Sequence, residues 1–226
     1  MTDAEWRVSV KPLQMLNAVQ ATASARKLRL FGCACCRRIW LLLTDPRSQA
    51  AVEVSERFVE GAAKKDEVTA ARALAPGLHS RRGQFLPREQ RAVLCAAEAA
   101  RLAARATDRR FVLAADIKQC AYYASAAEKF GQRYPYPSDV FQANALRCII
   151  GDSLATPVAL YSPWQTATTV AVASSIYADR AFDQLPILAD ALEDAGCTDA
   201  AMLEHCRLPG EHFRGCWVVD LVLGKT

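Results

Sequence analysis

From Arg26 to Leu43 apolar residues follow one another so densely that they cover nearly the whole circumference of a helix. At about 100° per residue, Leu28, Phe31, Cys35, Ile39 and Leu42 share one face. Cys33, Cys36 and Trp40 make a second apolar face, and Leu30 with Leu41 a third. A helix that is apolar nearly all round belongs in the middle of a domain. Arg29, Arg37 and Arg38 must then reach past that packing to solvent or to carboxylates.

The same periodicity places other helices around this one. Pro12 opens a short helix carrying Leu13, Leu16 and Val19, and Ser24 caps the central stretch. Thr44-Asp45-Pro46 ends that stretch and starts a helix to about Ala63, with Val52, Phe58 and Val59 inward and Glu53, Glu56, Arg57 and Glu60 outward. A weaker helix runs from Asp66 to Ala75. Residues 76–87 hold two prolines, two glycines and a basic pair, and read as a loop. Helices follow from Arg88 to Thr107, Ala114 to Phe130, and Ser138 or Asp139 to Ile150. Residues 154–161 are compatible with an extended segment, and Trp164 to Tyr177 reads as a helix. An αα-hairpin comes next: Asp183 caps a helix that stops at Gly196, and Thr198 caps one that ends before Pro209. Cys216 to Leu223 forms a last short apolar helix.

Composition agrees with this pattern. Apolar residues make up 52% and charged residues 23% of 226 positions, and much of the apolar share is alanine. Alanine is the best helix former and is depleted in strands. The expected fold is all-α, a single helical domain over residues 1–226, with loop 76–87 as its best internal boundary. Met1 to Trp6 has no apolar signal core, and no apolar run approaches the roughly 18 residues of a membrane span. A soluble, cytoplasmic protein is expected, with its nine cysteines reduced.

Net charge is +4 but unevenly spread. Residues 1–110 hold 20 Lys+Arg against 11 Asp+Glu, a net of +9, and residues 111–226 hold 8 against 13, a net of −5. The two halves either attract each other or present a basic face to an acidic partner.

Three chemistries are open to such a chain. Cys33 and Cys36 lie one helical turn apart, whereas Cys35 points to the far side. Near the other end stand His205-Cys206 and the His212/Cys216 pair, which is spaced i, i+4. Cys33, Cys36, His212 and Cys216 together make a candidate zinc set, although buried free cysteine is also an ordinary small core residue. Cysteine catalysis by His212, Cys216 and Asp220 on one helix fails on geometry. The base must sit between nucleophile and carboxylate, and here cysteine is central. Only a Cys216–His212 dyad survives, and no catalytic constellation is assigned. Nucleic acid is the third candidate: nine arginines lie between Arg72 and Arg110 against Glu89, Glu98 and Asp108. No aromatic residues interleave on the helix from Arg88 for base stacking, and the acidic hairpin would repel phosphates. Gly224-Lys-Thr226 lacks the first glycine of a P-loop. The Glu53/Glu56/Glu60 face has no histidine beside it.

Two strings carry a resemblance. Leu28-Arg-Leu-Phe-Gly-Cys-Ala-Cys-Cys-Arg-Arg-Ile-Trp40 resembles the opening signature of a paralogous group of uncharacterised planctomycete proteins. Residues Arg180 to Cys197, His205-Cys-Arg207 and His212-Phe-Arg-Gly-Cys-Trp-Val-Val-Asp220 are similar to that group's ending. The resemblance brings no activity. Some members are labelled SMI1/KNR4, which implies an α+β domain unlike this helical pattern. The leading functional expectation is a non-catalytic interaction or adaptor protein with a protein partner. A zinc-binding protein, and a nucleic-acid-associated one acting through residues 72–110, are the alternatives. No membrane partner is expected.

Overall fold

The computed structural model describes residues 1–77, 86–107, 109–131, 135–151, 154 and 162–225. Among these residues there are twelve α-helices and no strand, so the fold is all-α as the periodicity predicts. No helix among them is long and apolar enough to cross a membrane. The chain forms two compact units, one of Val10–Ala143 and one of Met1–Ser9 with Asn144–Thr226. That division differs from the sequence expectation of one domain with a boundary in loop 76–87. It falls inside a helix, where no change of composition marks it. Residues 78–85 of that loop, His79 among them, lie outside the described residues, as does most of segment 154–161.

The Val10–Ala143 unit is organised on α3 (Ala25–Arg38), whose residues from Leu28 to Cys36 are all buried. It packs against α4 (Pro46–Val59), α6 (Arg88–Ala103) and α7 (Arg110–Phe130), with α2 (Pro12–Val19) and α5 (Lys65–Leu74) completing the unit. Ser24 caps α3 by accepting from the Lys27 amide at 3.2 Å, as expected. Gly32 permits the closest approach, since a Cβ there would come within 2.7 Å of Ile117 Cδ1. Alanines of α6 and α7 serve the same end by keeping these helices close. The central helix is shorter than expected. It stops at Arg38, a 3-10 turn covers Trp40–Leu42, and Leu41 is exposed.

The arginines of α3 are satisfied within the unit. Arg29 donates to the carbonyls of Arg105 at 3.1 Å and Thr107 at 2.7 Å. Arg37 makes a two-pronged pair with Glu56 at 3.0 and 2.6 Å, and Arg38 pairs with Glu128 at 2.7 Å. Glu56 is therefore buried, not on the outward face the pattern predicts. Its charge is compensated by a planar guanidinium, which is what makes such burial tolerable.

The second unit begins with a helix that the apolar pattern misses, α1 (Asp3–Val8). Its signal is the capping box of Thr2 and Glu5, in which each side chain accepts from the other's amide. Trp6 of α1 is fully buried and donates to the Gly151 carbonyl at 2.8 Å. Arg147 donates to the carbonyls of Trp6 and Ser9. These bonds tie the N-terminal segment to the end of α8 (Ser138–Ile150). Next come α9 (Ala167–Asp179), α10 (Leu185–Asp194), α11 (Ala200–Arg207) and α12 (Trp217–Val222). The core is built from Ile176, Leu185, Leu188, Leu192, Met202, Val218 and Val222 with Cys148, Cys206 and Cys216.

The αα-hairpin is α10 and α11, with its caps moved slightly. A 3-10 turn at Phe182–Gln184 precedes α10. Asp199 caps α11 in place of Thr198, accepting from the Met202 amide at 3.0 Å.

Candidate metal centre

Four donors converge in the Asn144–Thr226 part of the second unit: Cys148, His205, His212 and Cys216. Their ligand atoms all lie within 4.8 Å of one another. Each arrives by a different local route. Cys148 stands in the last turn of α8 and His205 in the last turn of α11. His212 lies in the segment between α11 and α12, and Cys216 is the N-cap of α12. The i, i+4 helical spacing expected for His212 and Cys216 is thus not what joins them. A turn with Gly215 at φ +93° folds the segment and brings both inward.

His212 offers Nδ1, 3.6 Å from Cys148 Sγ, and His205 offers Nε2, 3.3 Å from Cys216 Sγ. A tetrahedral zinc with Zn–S of about 2.3 Å and Zn–N of about 2.0–2.1 Å needs S···N edges of about 3.5 Å. The two close edges already match that figure. No two donor atoms are more than 4.8 Å apart, so the sulfurs need to close by at most about 1 Å to reach the S···S edge of about 3.8 Å. The two imidazoles meet edge to face, centroids 4.9 Å apart at 82°, so they approach the shared centre from different directions. Trp217 covers His205, with ring centroids 5.4 Å apart. Cys148, His205 and Cys216 are buried, and His212 is half-buried.

Electrostatics single out one thiol. Burial alone would push Cys216 up, but hydrogen bonding from Cys148, the charge and hydrogen bond of His205, and a hydrogen bond from His212 outweigh it. Together they hold the thiol well below its ordinary value. Cys206, one residue along from His205, shows the opposite behaviour: burial first, then the neighbouring Cys216 and Cys197, push it up. A buried thiol is inert unless cationic donors face it.

Two of the four residues expected from the sequence, His212 and Cys216, are therefore in the cluster. Cys33 and Cys36 are not: both are buried on α3 of the Val10–Ala143 unit, where Cys36 Sγ lies 3.8 Å from Cys120 Sγ. Their places are taken by His205, visible beforehand as a nearby donor, and by Cys148. Nothing around Cys148 in the sequence distinguishes it from a core cysteine.

The arginines of 72–110 are largely engaged. Arg72 and Arg105 pair with Asp116, and Arg101 pairs with Glu98. Arg88 donates to the carbonyls of Lys129 and Phe130, Arg91 lies over the Phe130 ring, and Arg110 donates to the Ala21 carbonyl. Arg81 and Arg82 lie outside the described residues. In comparisons with protein-family models, curated proteins and solved structures, nothing matches this chain.

Proposed function

We propose that this is a zinc-binding, non-catalytic helical protein, in which Cys148, His205, His212 and Cys216 hold the ion. The observation that carries the reading is the convergence of two sulfurs and two imidazole nitrogens within 4.8 Å. Two thiolates with two imidazoles suit tetrahedral zinc, and four protein donors leave no open position for a substrate or a reactive water. Such an ion ties α8, α11 and the start of α12 together. Its work is then structural, and the protein acts through the helical surface it steadies, as an interaction or adaptor protein. The nucleic-acid alternative draws no support from the arginines of 72–110, since most of those described have partners inside the fold.

Metal analysis of protein purified without a histidine tag tests the proposal. One zinc per chain is expected, lost in Cys148→Ser and in Cys216→Ser and retained in the Cys33→Ser/Cys36→Ser double variant. A folded protein that carries no zinc and takes none up when it is supplied would sink the reading.

A further inference from the structure

We infer that Cys148 and Cys216 form an oxidation site, at which a hydroperoxide joins the two sulfurs as a disulfide and expels the zinc. The inference rests on the zinc reading above. Both sulfurs belong to a group of donor atoms within 4.8 Å of one another, so they are neighbours before any reaction. A disulfide requires the pair to close to about 2.05 Å, with Cβ atoms about 3.8 Å apart. The backbone that must give way lies at helix ends. Cys216 is an N-cap following Gly215, and Cys148 is in the last turn of α8. His212, half-buried, is the most exposed of the four donors.

Coordination keeps both sulfurs as thiolates. One thiolate attacks a peroxide oxygen, breaking the O–O bond and giving a sulfenic acid and hydroxide. The second thiolate attacks the sulfenic sulfur, forms the S–S bond and expels a second hydroxide. Two protons from solvent turn the hydroxides into water. The two sulfurs lose two electrons in total and hydrogen peroxide gains them. Two imidazoles alone are a poor zinc site, so the ion leaves.

The molecule contains its own controls. Cys206 neighbours the site, but it is not among the four converging donors. Cys36 and Cys120 sit 3.8 Å apart without an imidazole near them among the described residues, and hydrogen bonding to Cys120, then burial, push Cys36 up.

The test treats zinc-loaded full-length protein with a small molar excess of hydrogen peroxide. Zinc release is read with a chromogenic chelator, and the disulfides are mapped by mass spectrometry without reduction. One equivalent of zinc should be released together with a Cys148–Cys216 disulfide, and reduction with added zinc should restore the site. Cys206→Ser should behave like the unsubstituted protein. Zinc retained while other thiols oxidise would overturn the inference and leave the zinc reading intact. So would a Cys206–Cys216 or Cys36–Cys120 disulfide as the main product. Protein that binds no zinc at the outset would overturn both.

Discussion

Each unit of this protein buries a group of cysteines, and the two groups differ in their company. In the Val10–Ala143 unit, Cys33, Cys35, Cys36 and Cys120 are buried with one another's thiols nearby. Burial, then the nearby Cys120 and Glu128, push Cys35 up, and Cys36 is pushed up as well. In the other unit, Cys216 faces two imidazoles and is held down. Burial is common to both, so burial does not make a ligand. Convergent nitrogen donors set Cys216 apart, and both described histidines, His205 and His212, are in the Asn144–Thr226 segment. The contrast predicts that one group matters for packing alone and the other for metal.

The largest effect should come from the packing side. Phe31→Ala removes a fully buried ring from α3 and should cost about 3–5 kcal/mol. Denaturant unfolding would show the loss, and zinc content per folded chain should be unchanged. Metal removal should come next and act on the other unit. If zinc is present at about a hundred to a thousand times its Kd, chelation should cost roughly 3–4 kcal/mol. Hydrogen exchange should show faster opening in α11 and α12, with α3 and α7 unaltered. Equal loosening of α3 would break the comparison.

Single cysteine substitutions sharpen it further. Cys36→Ala should lose about 1 kcal/mol, the worth of a small apolar group, and keep its zinc. Cys216→Ala should lose its zinc altogether, as metal analysis would show.

Much of this was legible beforehand, for identifiable reasons. The apolar circumference of 28–36 made α3 the core helix, and Pro12, Ser24 and Asp45-Pro46 act locally, so their caps could be placed. The Arg37–Glu56 and Arg38–Glu128 pairs were not legible, because partners 19 and 90 residues away meet only through packing. The same holds for the site. His212 and Cys216 were found because they are close in sequence. Cys148 is 64 residues from His212 and enters through the docking of α8, which no spacing rule encodes. Pairing the C-terminal donors with Cys33 and Cys36 followed the most conspicuous C-x-x-C spacing, which in fact serves the core.

The smallest expected effect is at the surface. Arg207 bridges Asp190 and Glu193, and its hydrogen bond lowers Glu193 below its ordinary 4.5. A depressed carboxylate stabilises the fold above that value, and its contribution fades as pH falls through the lower folded value. Both partners are exposed, so Arg207→Ala should shift thermal unfolding slightly at pH 7, and the difference from the unsubstituted protein should shrink in acid.

The most direct test of the account is X-ray absorption at the zinc edge on the purified protein. The site predicts two sulfurs at about 2.3 Å and two nitrogens at about 2.0–2.1 Å, with the multiple-scattering pattern of two imidazoles. A shell of four sulfurs would point to thiols such as Cys33, Cys35, Cys36 and Cys120, and a shell of oxygens alone would mark a loosely held surface ion; either result would contradict it.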